Sequence, residues 1–174
     1  MLKIVSSKPC AYSRVNFDPY VPLEIELEGA TEGEARLYWR AQEGAASLVE
    51  IGIRPSDGRV QSVTVTSVAP GCVWEAMSEL NHVEQVEAAP CADLTAWPLL
   101  SNDFASRFVD ENCPISLAIG NDSVEVWFCP ERVVGRWFSV GDARFGVSGH
   151  ALVCVQVRGL SPAQVADLRG SALG

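Results

Sequence analysis

The sequence predicts a mainly β protein, built from antiparallel β-meander sheets with a minor α component in a short C-terminal helix. Three observations carry that expectation. Short runs alternate apolar and polar side chains; Gly, Asp, Asn and Pro clusters separate the runs; and the clearest helix-start signal lies beyond residue 160.

Leu23, Ile25 and Leu27 alternate with Glu24, Glu26 and Glu28, and Leu37 and Trp39 with Arg36, Tyr38 and Arg40. This period of two marks strands with one buried face. Val49, Ile51 and Ile53 form the next such run, and Val63 and Val65 its partner. Between them Pro55-Ser56-Asp57-Gly58 fits a type I turn closed by a glycine in the left-handed conformation, so its residue types serve backbone conformation rather than binding.

In the second half, residues 115–119 and 123–128 flank Gly120-Asn121-Asp122, and RWFSV and ARFGV flank Gly141-Asp142. ALVCVQV (151–157) reads as the last strand. Ser161-Pro162-Ala163-Gln164 then combines an N-cap serine, a proline at the first helical position and a glutamine at the third, which starts a helix over 161–170 burying Val165 and Leu168.

The two halves share a pattern. Aligning Val60–Val65 with Leu152–Val157 also matches Ile51-Gly52-Ile53 to Phe145-Gly146-Val147, with a loop two residues shorter in the second copy. Either any two hairpins look this alike, or the chain is one domain, 1–174, of two related β units. The units would span 21–68 and 114–160, joined by an irregular acidic connection over 69–113.

With 174 residues, 48% of them hydrophobic, a core needs no metal or disulfide staple. The net charge of −9 argues against nucleic acid as a direct partner, since phosphate binding needs clustered Lys and Arg, and suits a basic protein partner. No apolar run reaches signal-peptide or membrane-spanning length, which points to a soluble, cytoplasmic chain with no membrane partner. Six scattered cysteines without a C-x-x-C, and only His82 and His150, do not form a metal pattern, and no cofactor motif is present. Cys129 and Cys154 lie in apolar runs and read as small buried hydrophobes.

Catalysis finds no support. Neither histidine has a serine or cysteine in a nucleophile elbow nearby, and the neighbouring carboxylates of Glu24/Glu26 and Asp110/Glu111 carry no specificity in an acidic chain. GDARFG precedes a strand rather than the helix that would cradle a phosphate.

The sharpest compositional feature lies between Arg59 and Arg107, where no Lys or Arg occurs. Val73, Ala76, Met77, Leu80 and Val83 have helical spacing that would end near Asn81, and the remainder reads as a structured connection packing Trp97 against the sheets. Such a one-signed segment would form an electrostatic docking face for a basic partner, with Glu75, Glu79, Glu84, Glu87 and Asp93 as its charges and Trp97, or Trp74, as an aromatic anchor. Large aromatics in β proteins are more often core, and acidic residues also merely solvate a connection.

Two other readings stand beside this one. A small-molecule or carbohydrate-binding β module would stack its ligand on Tyr38, Trp127 or Trp137. A structural assembly subunit would pair edge strands with a second copy.

The order LVEIGIRPSDGRVQSVTV, PCADLTAW, SVEVWF and RFGVSGHALVCVQVRGLSPAQV, over residues 47–168, resembles a group of poorly characterised bacterial proteins similar to immunity proteins of toxin systems. The chain has Arg158-Gly159-Leu160-Ser161 where an Asn usually opens the final turn. The resemblance implies an intracellular binding protein rather than an enzyme. It implies no particular target and no catalytic residues; neutralising a cognate toxin through the acidic segment is one form that the docking reading takes.

Overall fold

The computed structural model describes residues 1–18, 20–28, 35–69, 72–75, 83–98 and 103–173. The alternating runs become strands, in chain order β1 (Ile4–Lys8), β2 (Ser13–Asn16), β3 (Leu23–Leu27), β4 (Leu37–Glu43), β5 (Ser47–Ile53), β6 (Val60–Ser67), β7 (Val73–Glu75) and β8 (Glu84–Glu87). There follow β9 (Ala89–Ala92), β10 (Phe108–Asn112), β11 (Ser116–Ile119), β12 (Ser123–Trp127), β13 (Arg136–Val140), β14 (Ala143–Ser148), β15 (Ala151–Arg158) and the helix α1 (Pro162–Leu173). Among the described residues the fold is mainly β with one short C-terminal α-helix, as the alternation and the helix-start signal predict.

Two mixed sheets face each other, a six-stranded one in the order β10-β4-β5-β6-β3-β2 and a seven-stranded one in the order β7-β11-β12-β15-β14-β13-β8. The central strands turn their apolar sets inward: Trp39, Ile51, Val63 and Ile25 from the first sheet meet Val126, Phe128, Phe145 and Val155 from the second in one cluster. Trp39 and Phe128 join edge to face, with ring centroids 5.2 Å apart. Burying each such side chain contributes roughly 1.5–3 kcal/mol, and this shared interior holds the sheets together. Ser13 Oγ adds a direct tie, donating to Val140 O at 2.7 Å.

The sheets repeat one topology. In each, the third, fourth and fifth strands of a unit form a meander and the second and first strands return beside the fifth, giving β4-β5-β6-β3-β2 and β13-β14-β15-β12-β11. A parallel strand then closes the outer edge of each third strand: β10 beside β4, and β8 beside β13. The register repeats as well. Ile51 faces Val63, Gly52 faces Ser62 and Ile53 faces Val60, while Phe145 faces Val155, Gly146 faces Cys154 and Val147 faces Leu152. An irregularity follows the glycine in both hairpins, at the positions that the sequence alignment of the halves pairs.

Several expectations change. The connection over 69–113 is not irregular throughout: it supplies β7, β8, β9 and β10, and the last closes the edge of the other unit's sheet. The helical spacing from Val73 fails where it can be checked, because Val73–Glu75 pair in parallel with Leu117–Ile119. Pairing with the β11 edge outweighs the local periodicity there. Residues 76–82 lie outside the described residues. The strands β1 and β2 add to the meander expected before residue 69, and β1 pairs with β9 in a separate two-stranded ribbon.

The PSDG loop does more than reverse the chain. Gly58 has the expected left-handed backbone, with φ of 76°, and its N–H donates to Arg54 O at 2.8 Å. Gly58 O accepts from Ala92 N at 2.7 Å, docking the loop on β9. The Asp57 carboxylate accepts from Arg54, from Lys8 at 2.8 Å and from the Arg59 N–H at 3.2 Å. One turn thus joins the β5–β6 hairpin to the β1–β9 ribbon.

At the C-terminus, Ser161 and Gln164 exchange capping hydrogen bonds of 2.9 and 3.3 Å, and Val165 and Leu168 are buried, as the sequence predicts. No helix among the described residues is long and apolar enough to cross a membrane.

Candidate functional site

Because side chains alternate along each strand, the residues between the core positions form two outer faces, and the repeat lets these be compared position by position. On the seven-stranded sheet, Glu125, Gln156, Arg144 and Ser139 form one row across β12, β15, β14 and β13. Trp127, Cys154, Gly146 and Trp137 form the next row. The equivalent rows of the six-stranded sheet are Glu24, Thr64, Glu50 and Arg40, and Glu26, Ser62, Gly52 and Tyr38.

The first row of the seven-stranded face is covered, while Trp127 and Trp137 in the next are half-buried. Gln156 is 3% exposed and Arg144 5%, and Ser116, Ala118, Glu125 and Ser139 are buried with them. Their polar atoms are joined: Arg144 Nη1 donates to Gln156 Oε1 at 3.1 Å, Gln156 Nε2 to Glu125 Oε1 at 2.8 Å, and Trp127 Nε1 to Glu125 Oε2 at 2.8 Å. The Arg144 guanidinium lies 4.6 Å from the centre of the Trp137 ring. Burying polar groups costs several kcal/mol unless they find partners, and this chain of bonds supplies them to the Glu125 carboxylate, the Gln156 amide and the Trp127 indole. Cys154 sits among them, its thiol pushed well above the usual range by burial. Cys129, by contrast, is half-buried and not fully enclosed.

The six-stranded face is open. Glu24, Arg40, Glu50 and Thr64 are half-buried and Arg14 and Asn16 are exposed, where their equivalents on the other sheet are buried. At its β10 edge the Tyr38 and Phe108 rings stack 5.3 Å apart, and Phe104, 66% exposed, meets Phe108 edge-on. Arg40 lies 4.5 Å from the Phe108 ring centre, Arg107 5.7 Å from that of Phe104. Arg40 also grips Asp110 with two bonds of 2.5 and 2.8 Å, which holds that carboxyl below its usual range. Arg36 lies over Gly52 and bonds Ser62 Oγ at 3.0 Å and Glu26 at 3.4 Å. Val134 occupies the corresponding space over Gly146.

Among the described residues, those expected to form an acidic docking face lie in separate elements. Asp93 caps the 3-10 turn Leu94–Ala96 through Thr95 N and pairs with Lys3 at 2.8 Å, which lowers its pKa to about 2. Trp97, expected as an aromatic anchor, is 5% exposed and donates Nε1–H to Arg107 O at 3.1 Å, so it belongs to the interior. Glu84 and Glu87 are exposed on the edge strand β8, with Glu84 bonded to Arg136 at 2.9 Å. Glu75 lies in β7. Glu79 falls outside the described residues. Cations from distant segments thus pair with two of these charges, Lys3 with Asp93 and Arg136 with Glu84.

Of the three aromatics considered for ligand stacking, Tyr38 spends a ring face on Phe108, Trp137 lies under Arg144, and Trp127 commits its indole N–H to Glu125. His150 Nδ1 lies 3.3 Å from Ile4 O at the rim of a groove of about 410 Å³ between β1 and the β8–β13 edge. Among the described residues no group of His, Cys, Asp and Glu is placed to hold a metal.

No family model matches the chain, and no curated protein matches it.

Proposed function

We propose that the chain is a non-catalytic protein-binding module that docks through the open outer face of its six-stranded sheet. The observation that carries this reading is the contrast along one row of equivalent positions: Glu125, Gln156, Arg144 and Ser139 are buried where Glu24, Thr64, Glu50 and Arg40 are half-buried, and at the β10 edge of the latter the exposed Phe104 joins Phe108, Tyr38, Arg40 and Arg107. Tyrosine and arginine are the side chains that concentrate binding energy in protein interfaces. Rings stacked on one another and on guanidinium groups offer less free ring face to a sugar, which favours a protein.

A second surface suits a basic partner. Glu84 and Glu87 stand exposed on the short edge strand β8 of a chain of net charge −9, and the likeness to immunity proteins suggests a cognate toxin there. A reducing, cytoplasmic setting fits six cysteines that form no disulfide.

Affinity capture from the native cell, run in parallel with the wild-type chain, Phe104→Arg and Glu87→Arg, tests the choice. Loss of the captured protein with Phe104→Arg alone supports the open face; loss with Glu87→Arg alone rejects it in favour of the acidic edge.

A further inference from the structure

We propose that a second copy of this chain docks face to face on the open six-stranded sheet, related by a two-fold axis that passes between β5 and β6. The proposal rests on the reading of that face as a protein-docking surface and names its occupant. A two-fold interface must be self-complementary, since each residue that meets a partner is met by the same pair in reverse. The strand order β10-β4-β5-β6-β3-β2 sets β4 opposite the second copy's β3, and β10 opposite its β2. Arg40 then approaches Glu24 and Glu26 of the other copy, while Asp110 and the Phe108 ring approach Arg14. Both encounters join opposite charge, or cation and ring, and each occurs twice.

Charge also selects this approach over others. On this face Arg14, Arg36, Arg40 and Arg107 stand against Glu24, Glu26, Glu28, Glu50 and Asp110, four positive charges against five negative in a chain of net charge −9. Approaches through surfaces that carry excess negative charge would bring like charges together, which disfavours them. Size is adequate but small. Six strands at about 4.8 Å spacing and about 20 Å length present on the order of 500–600 Å² per copy, near the lower bound of roughly 1,200 Å² in total for specific interfaces. The dimer is therefore expected in the micromolar range, not the nanomolar.

Sedimentation equilibrium of the full chain from about 1 to 300 μM decides the matter, with folding of each variant checked by circular dichroism. The wild type should dimerise, and Arg14→Glu and Phe104→Arg should each weaken the dimer at least tenfold. Glu87→Arg on β8 should leave it unchanged, and 0.5 M salt should weaken it. A wild type that stays monomeric at 300 μM overturns the proposal, as does a dimer indifferent to both face variants. If the chain is monomeric yet Phe104→Arg abolishes capture of a different protein, the second copy is the wrong occupant and the docking face stands. If neither assay responds to Phe104→Arg, both readings fall.

Discussion

Tyr38 and Phe108 come from strands seventy residues apart in sequence, yet their rings stack 5.3 Å apart with planes 13° from parallel. The parallel pairing of β10 with β4 sets them opposite each other, and Phe104 extends the cluster into solvent. Because Phe104 is largely exposed, Phe104→Ala should change stability by less than about 0.5 kcal/mol. The same substitution should weaken protein binding tenfold or more, about 1.4 kcal/mol. Urea unfolding and a binding titration on the same preparation separate the two effects, and equal losses in both would argue for a merely structural role.

Two glycines should respond differently to alanine. At Gly58 a Cβ would lie 2.3 Å from Ala92 O, a backbone atom, on a residue whose φ is already 76°. At Gly44, with φ of 59°, nothing lies within 4 Å of the added carbon. Gly44→Ala should cost only the left-handed strain of about 1–2 kcal/mol, and Gly58→Ala clearly more, because the β9 contact must shift. Comparing urea midpoints checks the order, and a Gly44→Ala penalty as large as that of Gly58→Ala would contradict the docking of the PSDG loop on β9.

Acid should destabilise the fold through two carboxyls. Asp57 is held well below the usual carboxylate range by Arg54 first and then Lys8, and Asp93 is held at about 2 by Lys3 first and then the Thr95 N–H. A carboxyl whose folded pKa is depressed contributes stability that is present above its unfolded value, about 3.9, and lost as pH falls through the folded one. Stability should therefore hold above about pH 5 and decline between about pH 4 and 2. Asp57→Asn should be less stable than wild type at neutral pH and should show a shallower decline in urea midpoint below pH 4.

The buried bonds from Trp127 through Glu125 and Gln156 to Arg144 should be sensitive to removal of their central acceptor. Glu125→Ala leaves the Trp127 indole N–H and the Gln156 amide without their carboxylate partner, at about 1–3 kcal/mol for each stranded group. Unfolding monitored by tryptophan emission should show a lower midpoint and an altered native spectrum. Glu50→Ala, at the equivalent position to Arg144 on the open face, should stay within about 0.5 kcal/mol of wild type.

Strands with strict alternation were legible because one buried face imposes a period of two, as at Leu23–Leu27 and Leu37–Glu43. The C-terminal helix was legible from Ser161 and Gln164, whose side chains make the capping bonds that their spacing suggests. Short edge strands were not: EQVE (84–87) and VWE (73–75) gain their structure by pairing with β13 and β11, and carry no local signal of it. The open face was legible only in pieces. Tyr38 stood out as an aromatic on the polar side of a strand, but Phe104, Phe108 and Arg107 lie beyond the connection and reach it through a parallel pairing that no spacing reveals. The pairing of charges was not legible either, since Lys3 and Arg136 bond Asp93 and Glu84 across long sequence separations.

Photo-crosslinking in the native cell, with a photoreactive side chain placed at position 104 in one strain and position 87 in another, reports directly which surface meets protein. Position 104 should yield a discrete protein adduct that weakens when Arg14→Glu is added, and position 87 should yield none of that mass. An adduct formed from position 87 alone, or none from position 104, would contradict the open sheet face as the docking surface.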